Sequence, residues 1–146
     1  MLAGHFGLAA VVKSRQPQVP LWTLMLATQL LDVVFAALYL LKIESLGPVA
    51  GSRGNYGDLL GTDITWSHSL VGALGISLVA AIIASILWGR RSGGVIGVMV
   101  LSHWALDLLV HRPDLSLLPG NTGNLPLFGL GLWQIAWIVF ILELAL

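Results

Sequence analysis

Trp66-Ser-His-Ser-Leu-Val-Gly-Ala-Leu-Gly-Ile-Ser-Leu-Val-Ala-Ala-Ile-Ile-Ala-Ser-Ile-Leu-Trp88 runs without a single formal charge, and a tryptophan stands at each end. Indole rings collect at the two edges of a bilayer, so the ends read as interfacial anchors. As a helix, rising ~1.5 Å per residue, the stretch is long enough for a hydrocarbon core of ~30 Å. Three further stretches share this character: Leu21–Leu41 with one charge, Asp32; Gly93–Val110; and Leu125–Leu146 with Glu143 near its end. Lipid offers no partners to backbone N–H and C=O groups, which makes helices the expected form. The apolar residues run on rather than alternate, which argues against a β-barrel.

Composition agrees. The 146 residues are 57% hydrophobic and 10% charged, with a mean hydropathy of +0.90. Soluble domains carry about 25% charged residues. The fold class expected is all-α: an integral membrane bundle of four transmembrane helices plus a short N-terminal half-helix, in one domain spanning residues 1–146. Leu2–Val12 is that short segment, too short to cross and not preceded by the basic region of a signal peptide. Ser14–Pro20 reads as a connector, and Glu44–Thr65 and Arg112–Asn124 as the long loops. Alternating crossings put Lys13, Arg15, Arg90 and Arg91 on one face, which the positive-inside rule makes cytoplasmic. Seven Lys plus Arg balance seven Asp plus Glu, and no basic tract supports nucleic-acid binding.

Within these apolar spans the ionisable residues are few. His103-Trp-Ala-Leu-Asp107 places an imidazole and a carboxylate one turn apart on the same helix face. Charged groups are costly in hydrocarbon and, where present, usually line an internal site. A packing hydrogen bond would explain one histidine, but a His–Asp pair points to function. His111 and Asp114 extend the strip toward the helix end, where a solvated charge is the competing explanation. Asp32, halfway along the first span, must be protonated, paired or metal-bound, with Gln29 available to support it. His68 begins the second span, with Gly72 and Gly75 after it allowing close helix approach. His5 reaches a similar depth if Leu2–Val12 inserts as a half-helix. The depths do not agree fully, since His68 lies at a span edge and His103 near mid-span; helix tilt or two metal positions would reconcile them.

Cysteine is absent, so any transition metal has to be held by imidazole and carboxylate, a set suited to Zn, Mn, Fe or Ni. Glu143 reads as a surface carboxylate, and Trp133, Gln134 and Trp137 as packing and interface residues. Arg53 and Arg112 stand on the loop-rich face, as solvated charges or as partners for an anionic group. No P-loop, GxSxG, HExxH or dinucleotide fingerprint occurs.

Gly4-His5, Leu31-Asp32, Ser67-His68-Ser69-Leu70 and Ser102-His103-Trp-Ala-Leu-Asp107 occur in an order that resembles the bacterial membrane-bound metal-dependent hydrolases of the YdjM-like inner-membrane family. That family is more distantly similar to zinc-dependent phospholipase C and the S1/P1 nucleases. The resemblance implies divalent metal, most of all zinc, held by His5, Asp32, His68, His103 and Asp107, with His111 in addition. It also implies hydrolysis of a phosphoester or lipid in a bacterial inner membrane. A carboxylate outside the ligand set, Asp63 or Asp114, would take the proton from water. The chain departs from the pattern at Asp32-Val-Val-Phe35, where members often carry Asp-Ile-Asp-His, and this suggests a reduced site. A permease or proton/metal conduit using the same residues is the alternative, with a homo-oligomer then expected; an accessory subunit whose polar residues only register helices is a third reading.

Overall fold

A computed structural model describes residues 2–46 and 64–145. Among the described residues it is helical, with one isolated β-bridge. The helices are α1 (Leu2–Arg15), α2 (Leu21–Thr28), α3 (Leu30–Leu40), α4 (Leu70–Trp88), α5 (Arg90–Val110) and α6 (Ala136–Ala145).

The centre of the fold is the α4–α5 hairpin. Ser69 caps α4, its hydroxyl accepting the Gly72 N–H at 3.0 Å. The chain reverses at Gly89 alone, whose φ of 85° suits a residue without Cβ. Small residues then let the two helices meet. A Cβ on Gly93 would stand 2.5 Å from the Ala81 carbonyl, and Ser77 Oγ donates to the Gly97 carbonyl at 2.7 Å. On its other side α5 buries Ile96, Met99 and Val100 against Leu24, Ala27 and Leu31 of the α2–α3 pair. Leu78, Ile82, Ile86 and Leu87 of α4 point outward. So many exposed aliphatic side chains would be a liability in water and are ordinary against lipid.

Two helices, α4 and α5, are long and apolar enough to cross a membrane, and a third crossing exists if α2 and α3 form one bent span. Among the described residues the expected four spans are thus two or three. Leu125–Leu146 is not one helix: after a single 3-10 turn at Leu132–Gln134 its α-helix starts only at Ala136. Pro126 supplies no N–H, while Gly129 and Gly131 take positive φ. Instead this segment folds back over the end of α5. Leu115 and Phe128 exchange both backbone hydrogen bonds (3.0 and 2.8 Å), and the Leu130 N–H reaches the Leu108 carbonyl at 2.9 Å. Hydropathy was continuous through this stretch, but backbone chemistry decided its shape.

Leu21–Leu41 also differs from a straight span. It bends by 55° at Gln29. Thr28 Oγ1 donates back to the Met25 carbonyl at 2.8 Å, a bond that competes with the helix ladder and bends helices. The first turn of α3 then opens on Asp32. At the opposite end of the bundle, Lys13 Nζ closes the α1–α2 connector through the Pro17 and Val19 carbonyls (2.7 and 2.9 Å). Trp22 meets Trp88 edge to face there, so the α1–α2 connector and the reversal at Gly89 lie at the same end of the bundle.

The hairpin contact predicts a sharp contrast between adjacent glycines. Gly93→Ala pushes a methyl into the Ala81 carbonyl and should cost about 1–3 kcal/mol. Gly94→Ala meets nothing within 4 Å and should be neutral or stabilising by up to about 1 kcal/mol. Thermal unfolding of the purified variants in detergent measures both.

Candidate metal centre

The antiparallel register of the hairpin places His68. Ser77 lies across from Gly97. Nine residues back from Ser77 is His68, and ten forward from Gly97 is Asp107, so the two are level. Because α4 starts at Leu70, His68 belongs to the turn before the helix. Its apparent mismatch in depth with His103 disappears, as α5 begins at Arg90 and carries His103 well past its middle. Asp32 enters from the first turn of α3 and His5 from α1, whose ring stacks on His103 with centroids 4.2 Å apart. His111 follows directly after α5.

Asp107 is the centre of the cluster. Its Oδ1 is 3.7 Å from His5 Nε2, and its Oδ2 is 3.1, 3.7 and 3.8 Å from Nε2 of His103, His68 and His111. Asp32 Oδ1 lies 3.4 Å from His68 Nε2 and 3.6 Å from His103 Nε2. Asp107 and the four histidines are buried, whereas the Asp32 side chain is 52% exposed. All but one of these separations exceed the range of a good hydrogen bond, about 2.7–3.2 Å. Neighbouring donor atoms on one ion with bonds of 2.0–2.2 Å in tetrahedral geometry stand roughly 3.3–3.6 Å apart, and the separations in the cluster fall in that range or about 0.2 Å to either side of it. Two trios are compact enough to hold a metal ion: His5, His103 and Asp107, and Asp32, His68 and His103.

Outer hydrogen bonds orient the rings. His103 Nδ1 lies 2.6 Å from the Thr28 carbonyl, at the α2–α3 break. A carbonyl only accepts, so Nδ1 carries a hydrogen, and in the neutral ring Nε2 presents its lone pair to the carboxylates. His111 Nδ1 likewise faces Asp114 Oδ1 at 3.1 Å, and Arg112 Nε meets the other oxygen of Asp114 at 3.1 Å. Lone pairs aimed at carboxylate oxygens repel unless a cation lies between them; this is the arrangement found around metal-ligating histidines. His5 Nδ1 is buried with no hydrogen-bond partner among the described residues. Burial pushes this imidazole below its ordinary pKa against the pull of Asp107, favouring the neutral, ligating form.

The structure thus gathers His5, Asp32, His68, His103, Asp107 and His111 into one cluster. Asp114 stands outside it, holding His111. Asp63 and Arg53 lie outside the described residues. Gln29 does not support Asp32: its amide nitrogen is buried without a partner among the described residues. Trp133 packs on the His111 ring at 4.4 Å. Glu143 is half-buried rather than a surface group, and its Oε2 accepts the Gly4 N–H at 2.7 Å, at the start of the helix that carries His5. Sequence reasoning also missed Glu44 and Ser67. Glu44 is buried and bonded to Ser67, whose Oγ is 2.8 Å from His68 Nδ1. The one signal was Ser67 next to His68; Glu44 looked like any loop acid.

Compared with protein-family models, curated proteins and solved structures, the chain matches none.

A divalent ion that binds only the folded cluster stabilises the protein by about 2.7 kcal/mol at a concentration 100 times its Kd. Thermal melts of metal-stripped protein with added zinc should show this rise. His103→Ala and Asp107→Asn should each abolish it, and an equal rise in both variants would show that zinc binds elsewhere.

Proposed function

We propose that the chain is a membrane-embedded metal-dependent hydrolase of the bacterial inner membrane, with a zinc-type centre acting on a phosphoester. The observation that carries this is the convergence of four imidazole Nε2 atoms on the single buried carboxylate of Asp107. His5, His68, His103, Asp107 and Asp32 would hold the ion, with His111 at the margin. Zinc, when bound, acidifies water and draws electron density from a phosphoryl oxygen.

The residues supply the rest. Thr28 and Asp114 hold His103 and His111 in their ligating tautomers. Asp107 balances positive charge in a dry setting. Asp32 is the half-exposed member, so substrate and water approach on its side; with Oδ1, the oxygen near His68 and His103, toward the ion, its other oxygen would be the one to take the proton released from water. Asp114 already accepts from His111 and Arg112 and therefore serves as a positioning group. The gathering of Lys13, Arg15, Arg90 and Arg91 at one end supports that end as cytoplasmic.

A lipid-like phosphoester is favoured by an apolar groove of about 740 Å³ between α2–α3 and α4. It runs from the Trp22–Trp88 contact to Gly72, four residues beyond His68. Its walls belong to membrane-crossing elements, which suits an acyl chain. Gly75 lines it, and a Cβ there meets nothing within 4 Å.

Zinc-loaded protein in nanodiscs should hydrolyse bis(p-nitrophenyl) phosphate and a phospholipid. His103→Ala and Asp107→Asn should lower kcat/KM on both by more than about 100-fold, beyond what losing an outer partner costs. Gly75→Leu should slow only the lipid. The break beside Asp32 also suits an ion conduit, since interrupted helices line pathways through membranes. Absence of hydrolysis, with zinc or proton flux in proteoliposomes that is lost in Asp32→Asn, would replace the enzyme reading by that one.

A further inference from the structure

Glu44 lies just beyond α3 and is 2% exposed, and among the described residues its oxygens bond Trp66 and Ser67 rather than the cluster. Its Oε1 accepts the backbone N–H groups of Trp66 (2.8 Å) and Ser67 (2.9 Å). Its Oε2 accepts the Ser67 hydroxyl at 2.8 Å. The same hydroxyl oxygen is 2.8 Å from His68 Nδ1. A serine hydroxyl has one hydrogen and two lone pairs. With its hydrogen committed to Glu44, Ser67 has only lone pairs left for His68. The hydrogen between them must therefore come from Nδ1, and Nε2 is left as a lone pair facing Asp32 and Asp107.

We propose that Glu44, acting through the Ser67 hydroxyl, dictates which ring nitrogen of His68 carries the hydrogen and so keeps Nε2 open as a ligand. The consequence for metal rests on the hydrolase reading above; the tautomer itself does not. His103 and His111 are bonded to groups that can only accept, so each is set directly. His68 is bonded to a serine, which donates or accepts equally well, and only the acid behind the serine removes that freedom. Glu44 is in this sense a positioning residue for the metal centre.

The relay makes an unusual prediction for the isosteric change Glu44→Gln. The glutamine oxygen has to stay on the Trp66 and Ser67 N–H groups, because an NH₂ there would set donor against donor. Its NH₂ then donates to Ser67 Oγ, the hydroxyl turns toward His68 Nδ1, and the imidazole hydrogen moves to Nε2. No bond count changes along the chain; only its direction does.

Nitrogen NMR on the full-length protein, labelled at histidine, stripped of metal and held where the imidazoles are neutral, reads this directly. Wild-type His68 should carry its hydrogen on Nδ1, Glu44→Gln on Nε2, and Ser67→Ala should give a mixture that Glu44→Gln no longer changes. Zinc affinity should fall about 10–100-fold in Glu44→Gln, the usual effect of losing an outer partner. In the Ser67→Ala background Glu44→Gln should add no further loss, whereas a purely structural role would add its effect in both backgrounds. An unaltered tautomer in Glu44→Gln, or a pure Nδ1–H form in Ser67→Ala, overturns the relay. An inverted tautomer with unchanged zinc affinity upholds the relay and overturns His68 as a ligand.

Discussion

The Asp107 carboxylate is buried in the half of α5 that faces the bundle, and a bare charge there is not tolerable on its own. Everything around it answers that constraint. Four imidazoles aim a nitrogen at it, drawn from α1, the turn before α4, α5 itself and the residue after α5. His103 and His111 turn Nδ1 outward to the Thr28 carbonyl and Asp114, and in their neutral forms they do not neutralise a carboxylate. A cation does, and the spacing of the donors leaves room for one.

Positioning those rings takes deliberate departures from regular structure. The α2–α3 break interrupts a helix, and at that point the Thr28 carbonyl receives His103 Nδ1. The same break restarts the helix so that Asp32 falls in its first turn, facing His68 and His103. The refolded segment after Asn124 likewise lays Trp133 on His111. The break at Gln29 is enclosed between the buried Thr28 and Leu31, as hydrocarbon requires of irregular backbone, whereas Thr122–Phe128, leading into the refolded segment, are exposed.

Much of the site was legible in sequence because its chemistry is conspicuous among apolar neighbours. His103 and Asp107 announce themselves by helical spacing alone. His68 was harder: the cap at Ser69 delays the helix, and the register across from Gly97 exists only once the chain reverses at Gly89. Glu44 left no trace, since its partners are two backbone N–H groups and one serine that lie some twenty residues onward. The broken course of the segment after Asn124 has a different cause. Hydropathy reports the preferred solvent of side chains, while Pro126, Gly129 and Gly131 decide what the backbone can do. Two signals conflicted, and the local one prevailed.

The stacking of His5 on His103 joins nearly the first residues of the chain to nearly the last of the central hairpin. The hairpin itself needs only neighbours in sequence and can form early, as local pairs do. The cluster cannot. It is complete only after the opening helix has docked against a hairpin made much later in synthesis. An immature chain therefore presents its imidazoles and acids separately, and draws them into one cluster only in the last act of assembly.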